Sequence, residues 1–96
     1  MSLEVKNDEK AGKFYATVEG QEAKIEYEKS GDVYDLLHTF VPEEQRGHGV
    51  AEQLVTGALE QIQRQGGKFV PTCPYIQGFL KSHPQYQKGV GQLGGA

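Results

Sequence analysis

The segment Arg46-Gly47-His48-Gly49-Val50-Ala51 has the residue types and spacing best suited to a chemical task. It stands where an apolar run ending at Val41-Pro42 gives way to an amphipathic one opening near Gly49. The first turn of a helix has backbone N–H groups without intrahelical partners and the positive end of the peptide dipole, and glycines let an anion approach those donors without meeting a Cβ. Arg46 adds a planar fork of donors that matches phosphate oxygens. The pattern suits a diphosphate, and by physics alone it serves other phosphorylated ligands equally. A glycine-rich turn leading into a helix also occurs in proteins that bind nothing. The Walker pattern, which ends in Gly-Lys-Ser/Thr, is absent, and so is the dinucleotide fingerprint of a parallel βαβ unit.

Two further side chains could act on a ligand held there. His38 lies near the carboxyl end of an apolar run, where open sheets place their ligand crevice, and a histidine titrates at about pH 6.5, so it can accept a proton at neutral pH. Its plainer reading is a buried histidine hydrogen-bonded within the core. Cys73 directly precedes Pro74, a favoured first helical residue, so a helix dipole there would stabilise its thiolate. As a small buried core residue it would be equally ordinary. His48 sits inside the loop and could touch a phosphate or do nothing. Tyr75, His83 and Tyr86 flank the last helix, with core packing the default for Tyr75. Glu43 and Glu44 have the polarity to meet a cationic amine, although a solvated loop explains them as well.

The elements that must position these groups follow from periodicity. Residues 3–6 form a weak first strand, the polar stretch 7–12 a turn, and 13–18 a second strand with Phe14, Ala16 and Val18 on one face. Ala23, Ile25 and Tyr27 then alternate with Lys24, Glu26 and Glu28, as in a half-buried strand, between Gly20 and Gly31 in tight connections. In residues 33–41, Tyr34, Leu36 and Phe40 share one face while Val33, Leu37 and Val41 share the other, which predicts a central strand covered on both sides. From 49 to 65 the period becomes helical: Val50, Ala51, Leu54, Val55, Ala58, Leu59 and Ile62 fall on one stripe, and Gly66-Gly67 stops the helix. Residues 68–73 read as a short buried strand and 74–82 as a second helix ended by His83-Pro84. The fold class is therefore α+β: a mixed, largely antiparallel five-stranded sheet with one long and one short helix. Residues 1–87 are expected to form one domain and the glycine-rich 88–96 a loose tail.

Ninety-six residues support a single core, and a formal net charge of −3 disfavours nucleic acid as a partner. One cysteine excludes an internal disulfide and fits a reducing cytoplasm. The three histidines and the thiol lack the paired short spacings of zinc sites, so no metal is expected. No apolar run is long enough to cross a bilayer, so no membrane partner is expected either. Exposed edge strands leave both a monomer and a weak homodimer open.

Arg46, Gly49 and Ala51 match the acyl-CoA loop Gln/Arg-x-x-Gly-x-Gly/Ala, and here the sequence resembles the GNAT superfamily of N-acetyltransferases. The run from His38-Thr39 through Val41-Pro42, Arg46-Gly47, the helix and Pro71-Thr72-Cys73-Pro74-Tyr75 is similar to a miniature branch of it, across roughly residues 36–86. The resemblance implies acetyl-CoA as co-substrate and transfer of its acetyl group to an amine, amines on peptides or proteins among them. It implies strands ending at Val41 and Cys73 that splay so that pantetheine slips between them, with Phe40, Val41, Arg46, Gly47, His48, Gly49, Val50 and Ala51 on the cofactor. His38 and Cys73, if they face each other across the splay, become the catalytic candidates: His38 to assist direct attack, Cys73 to line the site, protonate the leaving thiol or be transiently acylated. The chain has no room for the two helices that ordinarily lie between the first two strands of the family. That leaves the acceptor side open, and with it the alternative of a catalytically silent module that binds CoA.

Overall fold

The structure, a computed structural model, describes residues 3–91. Its sheet runs β1 (Lys6–Asp8), β2 (Lys13–Val18), β3 (Gln21–Ser30), β4 (Val33–Phe40) and β5 (Lys68–Pro71), in that spatial order. The first four strands pair antiparallel and β5 joins β4 in parallel. Between β2 and β3, Glu19 (φ 51°) and Gly20 (φ 78°) both take positive φ, the two-residue turn whose twist matches that of the strands it joins. Parallel pairing needs a crossover, and α1 (Val50–Arg64) supplies it. The second helix, α2 (Pro74–Ser82), has the bounds expected from the sequence.

Both helices contribute to one core. Val50, Leu54, Val55, Ala58, Leu59 and Ile62 of α1 and Ile76, Phe79 and Leu80 of α2 pack with Phe14, Ile25, Tyr34, Leu36 and Phe69 of the sheet. The opposite sheet face, with Glu26, Glu28 and His38 exposed along it, has no such cover among the described residues. The expectation that β4 is covered on both sides is thereby corrected. Its internal alternation differs too. Tyr27 pairs with Leu36 and Glu26 with His38, so Leu37 is an extra residue without a partner. Such a bulge shifts the faces of everything beyond it. Thr39 accordingly falls opposite buried Ile25, while His38 and Phe40 fall opposite Glu26 and Lys24 on the bare face.

The chain ends also differ from expectation. Residues 3–5 are not a strand: they cross α1, where Leu3 N–H donates to Gln53 Oε1 at 3.0 Å and Gln61 Nε2 donates to the Val5 carbonyl. Gly57 permits that approach, because a Cβ there would come within 2.5 Å of Val5 Cγ2. At the other end, Pro84–Gly89 forms a 3-10 helix, Val90 bridges Phe69 in parallel, and Gly91 N–H donates to the Phe69 carbonyl at 2.8 Å. The free edge of β5 offers hydrogen-bonding groups that hold the chain through residue 91, so the first part of the tail expected at 88–96 is docked; its remainder, 92–96, lies outside the described residues.

Candidate functional site

Parallel pairing of β4 with β5 spans Val33–Leu36 against Lys68–Pro71. Cys73 N–H then donates to the Leu36 carbonyl at 2.8 Å, the chain turns away into α2, and β4 runs on to Phe40 with no strand on that side among the described residues. Beside this gap lies a cleft of about 640 Å³. Thr39, Phe40 and Val41 line it from β4, Gln45, Arg46, Gly47 and Gly49 from the connecting loop, Val50, Ala51 and Glu52 from the first turn of α1, and Tyr75 from α2.

The loop's conformation explains its composition. A 3-10 turn at Glu43–Gln45 carries the chain away from β4, and Arg46 Nε donates to the Val41 carbonyl at 3.1 Å, holding the guanidinium over the strand end. Gly47 and Gly49 have φ of 84° and 76°, a left-handed conformation that a Cβ would strain. Space is not the constraint: a Cβ on Gly47 would meet nothing within 4 Å, and one on Gly49 only Gln53 Nε2 at 3.8 Å. Gly49 is the N-cap of α1 without a side-chain cap, and the Gln53 N–H to Gly49 carbonyl bond at 3.0 Å is the first of the helix. The backbone N–H groups of Val50, Ala51 and Glu52 thus stand at the cleft with the dipole behind them. Uncapped donors, open space over two glycines and an adjacent guanidinium together fit a diphosphate.

The sequence candidates distribute unevenly around this cleft. Phe40, Val41, Arg46, Gly47, Gly49, Val50 and Ala51 line it, whereas His48 is exposed and is not among the lining residues. His38 and Cys73 do not face each other. The bulge at Leu37 turns His38 to the bare face opposite Glu26, while Cys73 is buried, its Sγ 3.4 Å from Thr39 Oγ1. Thr39 therefore takes the position facing Cys73 that the unbroken alternation would have given to His38.

Sequence reading passed over Thr39, Gln45 and Glu52 as site residues and left the tyrosine undecided. Tyr75, in the first turn of α2, is the one in the cleft, 44% exposed. Its phenol is held above the ordinary range, first by burial, then by the Glu52 carboxylate and by Cys73. It keeps its proton at neutral pH. Glu52 also faces α2 through His83, whose Nε2 lies 3.8 Å from Glu52 Oε2 and whose ring stacks on Phe79 at 4.0 Å. The Cys-Pro-Tyr order could have singled out Tyr75, since it sets the tyrosine in the first turn of a helix beginning at the gap; no sequence signal marks Gln45.

The sequence profile of the GCN5-related N-acetyl-transferases matches residues 13–89. The chain belongs to this family. Among its relatives, protein NATD1 of Danio rerio is 38% identical over 93 residues, covering 92% of this chain and 84% of that one. NATD1 of Homo sapiens is 34% identical over 85 residues, covering 85% and 75%. The solution structure of a GCN5-like protein from Staphylococcus aureus superposes with a TM-score of 0.69 at 27% identity, covering 98% of this chain and 93% of that one. As a GCN5-related N-acetyltransferase by family and fold, the chain has the acyltransferase scaffold reduced to five strands and two α-helices among the described residues.

Proposed function

We propose that this protein transfers the acetyl group of acetyl-CoA to an amine. The reading rests on one observation: the uncapped first turn of α1, flanked by Gly47, Gly49 and Arg46, opens into the same cleft that runs along the unpaired end of β4. Arg46 and the N–H groups of Val50, Ala51 and Glu52 hold the diphosphate, and the backbone from Thr39 to Val41 takes the pantetheine arm. The arm directs its thioester toward the gap between β4 and β5.

The remaining chemistry falls to side chains on either side of the gap. Acetyl transfer joins the amine nitrogen to the thioester carbonyl carbon and breaks the carbon–sulfur bond. Tyr75, protonated at neutral pH, gives its proton to the departing thiolate. Beyond Leu36 and Pro71 the strands no longer pair, so an amine can approach from the bare face, where His38 is exposed to take its proton. Cys73 lines the base of the gap behind Thr39; its burial weighs against transient acylation and in favour of direct transfer.

The bare acceptor face also supports a second reading, a module that binds CoA and transfers nothing. Thiol release from acetyl-CoA, measured over a panel of amines and lysine-bearing peptides alongside calorimetric binding of CoA, separates the two. Release above background that drops in Tyr75→Phe supports the enzyme. CoA binding with release at background for every acceptor leaves only the module, and absence of CoA binding removes both.

A further inference from the structure

Gln45 occupies an unusual position in the cleft wall. It is 5% exposed, although it belongs to a surface loop between exposed Glu44 and exposed Arg46. Its Nε2 donates to the Val18 carbonyl, pinning the 3-10 turn to the end of β2 and fixing which way the amide points. The other end of the amide, Oε1, is buried without a hydrogen-bond donor among the described residues. A buried carbonyl oxygen left unpaired costs roughly 1–3 kcal/mol, and natural proteins keep few of them. Here it belongs to a residue that lines the cleft between Val41 and Arg46.

We propose that Gln45 Oε1 accepts a hydrogen bond from the pantoyl end of the pantetheine arm and so makes the cleft select CoA over nucleotides that share only its diphosphate. The inference rests on the cofactor reading above. Its chemical basis is the sign of the partners. Phosphate oxygens are acceptors and are repelled by a carbonyl oxygen, so Oε1 adds nothing to the grip that Arg46 and the α1 N–H groups have on a diphosphate. Next along CoA from the diphosphate comes the pantoyl unit, with a hydroxyl and then an amide N–H, both donors. Those are the first groups in the ligand able to satisfy Oε1, and they follow the diphosphate directly, as Gln45 adjoins Arg46 in the wall. The oxygen is buried, so the donor meets it as the arm seats and the turn at Glu43–Gln45 adjusts. A site built to hydrogen-bond a ligand group rejects analogues lacking that group, because its own polar atom is then left unpaired.

Two ligands test this on the full chain: CoA, and adenosine 3′-phosphate 5′-diphosphate, which keeps the phosphates and lacks pantetheine. In the wild type, the Gln45 side-chain amide resonances in a ¹H–¹⁵N spectrum are expected to shift with CoA and to stay in place with the nucleotide, while the amides of residues 47–52 shift with both. In Gln45→Met, CoA is expected to bind about 5- to 30-fold more weakly, and the nucleotide within about twofold of wild type. An equal loss for both ligands would mean that Gln45 acts only by pinning the loop to Val18, and the proposal fails. It fails also if the Gln45 resonances ignore CoA while the loop amides respond. If no amide responds to CoA, the cofactor reading itself falls. Because the spectrum is taken on the wild type, poor folding of the variant leaves that arm intact.

Discussion

Thr39 Oγ1 and Cys73 Sγ meet at 3.4 Å where β4 and β5 part, so the gap between the strands is closed at its base by a hydroxyl and a thiol. The contact exists because the bulge at Leu37 returns Thr39 to the helix-covered side of the sheet. Had Leu37 paired with Glu26 in unbroken alternation, His38 would have come there instead. The thiol is consequently a packed group whose reactivity is limited by access.

Cys73 is therefore expected to react with a disulfide reagent at least about tenfold more slowly in the native protein than in urea, since thiolate attack requires exposure as well as ionisation. Thr39→Ala removes the cover and should speed the native reaction. Equal rates in folded and denatured wild type would show that the thiol is open to solvent and would revive Cys73 as a candidate for acylation.

Gly49 and Gly57 are both in or next to α1, yet alanine should act differently at each. At Gly49 the positive φ makes Gly49→Ala costly by about 1–2 kcal/mol, and the strain is relieved by moving the N–H groups that face the cleft, so CoA affinity should fall with stability. At Gly57 the backbone is helical and the obstacle is Val5. Gly57→Ala should lower stability by about 1–3 kcal/mol through displacement of the N-terminal segment and leave CoA affinity of the folded protein unchanged. Urea titration with calorimetry on both variants checks the split.

What could be read in the sequence was whatever depends on local periodicity or on backbone chemistry within a few residues. α1 emerges from the stripe Val50, Leu54, Ala58 and Ile62, and α2 from Pro74 at its start and His83-Pro84 at its end. The loop's glycines and Arg46 mark the site because a left-handed N-cap needs them locally. The Leu37 bulge was hidden, because β4 is apolar enough to read as alternating in either register; what decides is its pairing with Glu26 and Tyr27, some ten residues away in the chain. That single shift puts His38 on the opposite face from the one its alternation with Leu36 predicts. The docking of Val90 on Phe69 was likewise hidden, since a free strand edge recruits backbone, which has no sequence signature.

Tyr27 should make the protein sensitive to alkali. Its phenol is pushed up to about 12, chiefly by burial, with Tyr34 and Glu9 adding to it, and its hydroxyl donates to Asn7 Oδ1 at 2.5 Å. Between about pH 10, where an unfolded tyrosine ionises, and about pH 12, the unfolded chain has released a proton that the folded chain retains, so stability falls as pH rises. Below pH 10 both states hold the proton and the residue adds no pH dependence. Urea midpoints at pH 8, 10 and 11 should decline in wild type and decline less in Tyr27→Phe, provided the comparison is made relative to each protein's own midpoint at pH 8.

Tyr75 offers the sharpest test of the chemistry, because two of its determinants can be separated. Burial is the larger cause of its raised phenol and Glu52 the next. Glu52→Gln should accordingly lower the titration of Tyr75, followed by ¹³C-labelled tyrosine, without returning it to the range of a free phenol. A proton donor to the thiolate must stay protonated until the carbon–sulfur bond breaks, so Tyr75→Phe should reduce kcat by about 10²-fold while CoA affinity changes little. Glu52→Gln should extend the alkaline limb of the kcat profile toward lower pH, in step with the Tyr75 titration. A Tyr75→Phe variant with full kcat would remove the phenol from the mechanism and pass the leaving thiolate's proton to water.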